Sequence, residues 1–353
     1  MRTIWTVIIV IALIGSYSSV HADDSIARVG VGGITFLKST DIRMVKESLK
    51  ISPSNVYVKY HFLNESNKDI LTTVAFPLPA YEFDSNTSES YESKIPLMSF
   101  SIMIDGNEVE TTKTRRALLI KHIVEKEGKH IIVKEIIDRD ITKELKAAGL
   151  SDAQIFESFG DSDYDQKAGI VRNRLNKKQI VKLKKIGALD SDNFPSWEVA
   201  ATVHWKQLFP AKKEIEVEHT YTPFVGGSYT YINNGQPSFE YLGNSDEVCL
   251  REETRKEINQ KAQKLIGTNK SDIEGVRISL DEVEFILSTG RNWKGPIGEF
   301  TLSIEKNFPD QIVSTCFPGK PKIVNQTTIE YSQTNYITQD KLVVYFYSIG
   351  RRN

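Results

Sequence analysis

Five histidines beyond the first 22 residues, two cysteines and two charged clusters are the side chains from which chemistry can be argued. His61, His122, His130, His204 and His219 fall into no HExxH or other metal spacing. His204 and His219 lie on two alternating segments predicted to pair as a hairpin, which would bring them close. A strand-borne histidine pair can bind zinc, but no third ligand is identifiable. Cys249 and Cys316 stand 67 positions apart. In an oxidising compartment such a pair is more often a disulfide than a metal site. Closing the loop would stabilise the fold by roughly 4 kcal/mol in the chain-entropy model. Two unpaired buried thiols are the alternative. There is no CxxC motif. Gly226-Gly-Ser-Tyr229 lacks the order of a nucleophile elbow. No Ser/His/Asp order is recognisable, and bonded cysteines would leave no thiolate. No catalytic residue, metal ligand or cofactor site is therefore assigned.

Three features can bind rather than react. Asp161-Ser-Asp-Tyr-Asp165 spaces carboxylates as calcium loops begin, but Gln166 and Arg172 occupy the places that need Gly and Glu. A solvated acidic turn is the plainer reading. Arg172, Arg174, Lys177, Lys178, Lys182, Lys184 and Lys185 form a basic stretch with no acid between Gly169 and Gly187. Ile180, Leu183 and Ile186 give it an apolar stripe. Such a helix can sit on anionic headgroups or cell-wall polymers, or pack by its stripe and wet its lysines. Trp293, beside Lys294, lies in a loop with three glycines. Exposed, it would stack on a sugar or anchor a partner; folded back, it would cap a core. His219 is kept with Trp293, Lys294, Lys182, Lys184 and Lys185 as a candidate contact residue.

These residues are carried by strands. Val56, Val58, Tyr60 and Phe62 alternate with polar neighbours, which predicts a half-buried strand. Ile70 to Phe76 predicts the next, closed by Pro77 and Pro79. Asp105-Gly106-Asn107 marks a hairpin turn. A second hairpin is predicted from 118–124 and 131–137, with a helix over 115–126 as the alternative. The segments 141–148, 151–159 and 176–186 have helical spacing and caps. Alternation returns at Val199 to Trp205 and Ile215 to Tyr221, predicting a long hairpin with an acidic wet face, broken by Gly226-Gly227. A charged helix is expected over 251–266. Val283 to Leu287, Phe300 to Ile304 and Leu342 to Tyr347 read as later strands.

At the N-terminus, Arg2 precedes the apolar run Ile4 to Ile14, and Val20-His-Ala22 ends on a small residue. This is the layout of a signal peptide cleaved after Ala22. The run is about half of the ~20 residues a membrane crossing needs. The expected location is the periplasm or the cell exterior. Loss of Arg2 leaves 44 of 45 basic residues against 46 acidic, a formal charge of −2. Nothing in that balance suggests nucleic acid. Hydrophobic content of 40% and charged content of 26% are those of an ordinary globular chain.

Six segments carry a family resemblance. They are Asp24-Ser-Ile-Ala-Arg-Val-Gly-Val-Gly-Gly33, Asp41-Ile-Arg-Met-Val45, Val74-Ala-Phe-Pro-Leu-Pro79, Trp205-Lys-Gln-Leu-Phe-Pro210, Glu218-His-Thr-Tyr-Thr-Pro223 and Ser288-Thr-Gly-Arg-Asn-Trp-Lys-Gly-Pro-Ile-Gly298. In them the chain resembles the secreted bacterial family known as domain of unknown function 4424. The resemblance implies a signal peptide and export. It brings no activity, substrate or catalytic residue.

The expected fold is mainly β with α insertions: antiparallel β-sandwich layers plus a helical insertion. The expected organisation is a signal peptide (1–22), an N-terminal β-sandwich region (23–138), a helical insertion (139–190) and a C-terminal β region (191–353) with one helix (251–266). The expected function is an exported, non-catalytic binding or structural module whose partner is an envelope protein, a glycan or an anionic membrane surface. The alternative is a cell-wall or lipid-directed hydrolase with a site assembled from distant strands.

Overall fold

In a computed structural model, residues 25–30, 33–82, 99–126, 130–156, 164–165, 170–171, 175–191, 193–233, 236–237, 239, 249–266 and 276–351 are described. The chain is mainly β. A six-stranded sheet runs, in spatial order, β2 (Gly33–Leu37), β1 (Ser25–Gly30), β5 (Ile70–Glu82), β12 (Trp197–Phe209), β8 (Thr112–Lys126), β9 (His130–Asp140). An eight-stranded sheet runs β19 (Lys322–Ile323), β20 (Thr328–Tyr336), β17 (Ile297–Glu305), β3 (Ile42–Ile51), β4 (Val56–Asn64), β13 (Glu214–Tyr221), β6 (Ser101–Ile104), β7 (Asn107–Glu108). A five-stranded sheet runs β15 (Gln236–Pro237), β14 (Val225–Asn233), β16 (Val276–Ile286), β21 (Lys341–Arg351), β18 (Ile312–Thr315). A small ribbon pairs β10 (Tyr164–Asp165) with β11 (Ile170–Val171). Among the described residues every strand pair is antiparallel except β17 with β3.

The two large sheets face each other across one core. Period-two alternation decides which side of each strand goes in. In β4, Val56, Val58, Tyr60 and Phe62 are buried, while Tyr57, Lys59 and His61 point outward. Outside, Lys59 Nζ lies 2.9 Å from Glu216 and 3.1 Å from Glu218, and His61 Nδ1 lies 2.9 Å from Glu214. The Tyr57 hydroxyl donates to Glu218 at 2.6 Å. Burial and that acidic neighbour push the Tyr57 phenol up to about 12.

The third sheet has a core on each side. Val283, Phe285, Leu342, Val344 and Phe346 join the sandwich core. On the opposite face Ile278, Leu280, Tyr345 and Tyr347 form a second, smaller cluster with Ile258, Ala262 and Ile266 of a helix, α4 (Glu252–Ile266). Among the described residues, three further helices lie between β9 and β12: α1 (Thr142–Ala147), α2 (Asp152–Phe156) and α3 (Lys177–Lys185). Ser151 and Gln154 form the expected capping pair, and Asn176 caps α3 reciprocally with Gln179.

Three expectations are corrected. First, β12 and β13 are not a hairpin. β12 lies between β5 and β8, whereas β13 lies between β4 and β6. The linker Phe209-Pro210-Ala-Lys-Lys213 therefore crosses from one sheet to the other. Alternation specifies a buried face, and both strands satisfy it by facing each other across the core rather than edge to edge. Second, β5 continues through Pro77 and Pro79. β1 pairs with it only as far as Ala75, so among the described residues the proline segment has one strand edge without a partner strand. The β12 register also shifts between Val199 and Ala201, opposite Pro79, as a bulge. Third, Gly226 and Gly227 lie inside β14. At Gly227 a Cβ would come within 3.0 Å of the Leu280 carbonyl oxygen, so the bare backbone lets the strands approach. The 115–126 segment is strand, not helix. The partners of 342–347 are β16 and β18.

Candidate functional site

The Ser288–Gly298 segment forms a junction. Residues 288–292 make a 3-10 turn. Asn292 donates its side-chain amide to Ser25 Oγ at 3.0 Å, and its carbonyl accepts from Ser39 N–H. Lys294 N–H donates to the Ile42 carbonyl. The Arg291 guanidinium donates to the Thr338 carbonyl and pairs with Asp340. One loop thus fastens β1, β3 and the start of β21. Gly295 has φ +73°, which favours glycine, and a Cβ on Gly298 would stand 2.5 Å from the Val45 carbonyl oxygen.

Trp293 folds inward, 3% exposed, its ring 4.4 Å from that of Phe62 and 6.0 Å from that of Phe209. It closes the core between the sheets and offers no ring face to solvent. Lys294 stays outside and reaches Glu65 at 2.7 Å, holding that carboxyl below its ordinary range. His219 is also inside. Its ring contacts Tyr60, Phe76, Phe100 and Trp205, with centroids 4.9–5.4 Å away. Burial pushes its imidazole down to about 3. His219 and Trp293 belong to one aromatic chain through Tyr60 and Phe62. Both side chains are buried: strand alternation turns His219 inward, and the anchored junction loop turns Trp293 inward. Lys182, Lys184 and Lys185 are exposed on α3 and belong to none of this. Cys249 and Cys316 are joined as a disulfide, with Cα atoms 5.3 Å apart. Asp161 and Asp163, together with Arg172 and Arg174, lie outside the described residues.

His204 faces away from His219, because it is Trp205 that turns toward the core. It lines a cleft of about 580 Å³ on the outer side of the six-stranded sheet. β8 pairs with β12 only up to Thr112 opposite His204, and the loop 109–111 crosses there from the other sheet. The walls are Thr73, Val109, Glu110, Thr111, Thr112, His204, Trp205 and Lys206. Lys206 Nζ donates to Thr73 Oγ1 at 2.9 Å. His204 Nε2 lies 3.3 Å from Thr114 Oγ1. Burial, then the Lys206 ammonium, hold the His204 imidazole below its ordinary value, so it is neutral at pH 7. The cleft thus offers one cation, one carboxylate, a neutral imidazole and threonine hydroxyls. Alternation around Trp205 marks His204 and Lys206 as outward. No local signal marks Thr73 or Glu110, which arrive by strand pairing and by a crossing loop.

Among the described residues, no three His, Cys, Asp or Glu side chains gather where they could hold a metal ion. No described helix is long and apolar enough to cross a membrane.

The family model described as domain of unknown function (DUF4424) matches residues 22–345. No curated protein matches the chain. Among solved structures, the chain is similar to a Legionella pneumophila protein described as a candidate nutrient-binding protein. Identity is 12%, coverage is 92% of this chain and 70% of that one, and the TM-score is 0.41.

Proposed function

Given that the chain belongs to the DUF4424 family, we propose that it is an exported, non-catalytic binding module of the cell envelope, and that it binds a small polar solute in the His204–Lys206 cleft. The observation that carries this reading is the cleft itself. Its volume of about 580 Å³ lies within the ~300–1,000 Å³ of ordinary ligand sites. Lys206 supplies a charge for an acidic group on the ligand. Neutral His204 can donate or accept, and Thr73, Thr111 and Thr112 add hydroxyls that fix orientation.

In this reading the disulfide forms after export, following cleavage behind Ala22. Residues 139–190 are an insertion carried by a body built from 23–138 and 191–353. A mass measurement on the exported protein, expected to begin at Asp23, tests the first point.

The alternative is hydrolysis, and one contact favours it: Thr114 Oγ1 beside His204 Nε2, a hydroxyl next to a base. No described carboxylate hydrogen-bonds to the ring to orient it, as a triad would require. Binding is therefore preferred.

The test is thermal-shift screening of the mature protein with small carboxylates, phosphate esters and amino acids. At least one compound should raise the melting temperature, and Lys206→Ala should abolish the shift while leaving the unliganded fold intact. A panel with no binder, or a shift indifferent to both Lys206→Ala and His204→Ala, overturns the reading. Turnover of an ester, peptide or glycan that His204→Ala eliminates would establish the alternative.

A further inference from the structure

The helix α3 presents a surface of a different kind. It carries Lys177, Lys178, Lys182, Lys184 and Lys185 in nine residues, with no acid. At 3.6 residues per turn, Ile180, Leu183 and Ile186 share one face. Leu183 is fully buried in the sandwich core, and Ile180 and Ile186 pack against it. The lysines fall on the opposite face, and Val181 lies at its middle, 68% exposed.

Two features fix this face in place. The reciprocal Asn176–Gln179 cap holds the first turn, and Gln179 Nε2 donates to the Gly149 carbonyl at 2.9 Å. The lysines therefore cannot turn inward. None of the five makes an ion pair with a described residue. Among the described residues, Lys182 and Lys184 reach the carbonyl oxygens of Ala147 and Ser191, at 3.3 and 3.5 Å. Among the described residues, Glu144 pairs with Arg139 and Asp152 with Lys146, and Asp190 accepts from the Phe194 N–H.

We infer that this face docks the protein on an anionic lipid bilayer. A soluble polyanion would satisfy the lysines but gain nothing from an apolar side chain at their centre. A bilayer surface takes both. Its anionic headgroups meet the ammonium groups, lysine stems lie along the interface, and Val181 enters the boundary between headgroups and acyl chains. This inference does not depend on the cleft.

The test is co-sedimentation of the full mature protein with vesicles of phosphatidylglycerol and phosphatidylcholine, and with phosphatidylcholine alone. Binding is expected only to the anionic vesicles, and raising salt from about 0.05 to about 0.5 M should release it. Each lysine near such a surface contributes roughly 1 kcal/mol, so the triple variant Lys177→Glu, Lys178→Glu, Lys182→Glu should weaken partitioning on the order of a hundredfold or more. All three sites are exposed, and an unchanged circular dichroism spectrum would confirm the fold. Val181→Asp should weaken binding severalfold. No binding to anionic vesicles, or binding indifferent to the triple variant, overturns the inference. Binding lost in the triple variant but untouched by Val181→Asp, with equal affinity for poly-glutamate, also overturns it and assigns the face to polyanions.

Discussion

The sandwich core and the α4 core bury apolar side chains by the same rule but are held in different ways. Between the large sheets, Trp197, Tyr60, Phe62, Phe76, Phe209 and Phe300 interlock from both sides, and no covalent link crosses them. Under α4, the cluster is mostly aliphatic, built from one helix face and one side of the five-stranded sheet. The only disulfide is here. Cys249 precedes α4 and Cys316 follows β18, and Ser314 Oγ donates to the Cys249 carbonyl at 2.7 Å beside it. A large interface buries enough surface to outweigh the entropy of ordering its chain. A small one gains from a link that constrains the unfolded state.

Removing the plug of the larger core should do the most to break this contrast. Trp293→Ala leaves a cavity against Phe62 and Phe209 and should cost about 3–5 kcal/mol of global stability in urea denaturation. A loss under about 1 kcal/mol would mean the junction loop, not the indole, closes the sandwich.

The paired change Cys249→Ser and Cys316→Ser should cost roughly 2–4 kcal/mol. Hydrogen exchange should show that loss in α4, while amides of β4 and β12 keep their protection. Uniform loss across both regions would dissolve the distinction between the cores.

Taken per pH unit, the smallest expected effect is a pH slope. His219 is held neutral by burial, down to about 3, against an ordinary value of 6.5. Between those values the unfolded chain binds the extra proton, so stability rises with pH there and falls on acidification below about 6.5. The slope is about 1.4 kcal/mol per pH unit at most. His219→Leu should flatten it in the sandwich, with α4 protection unaffected. An unchanged slope would show that other groups govern acid unfolding.

The helices between β9 and β12 were legible because their caps are local: Ser151 with Gln154 and Asn176 with Gln179 lie within one turn. The buried faces of β4, β12 and β13 were legible from alternation. Pairing was not, and the predicted hairpin failed there. The Phe209–Lys213 connection reads as a turn, whereas the partners of β12 lie far away at 70–82 and 112–119. The cleft was half legible. His204 and Lys206 show their direction beside Trp205, but Thr73, Glu110 and Thr112 are assembled from other strands and a crossing loop.

The sequence by itself determined the strand-rich class, the helix caps and the buried face of the alternating strands, since these follow from composition and spacing within a few residues, and its six matching segments carried the resemblance to the family. Only the tertiary structure decided which sheet each strand joins, that Trp293 turns inward, that Cys249 meets Cys316, and that a cleft opens over His204. Those outcomes depend on contacts between segments tens to hundreds of residues apart, whose free energy appears only when two faces are buried against each other.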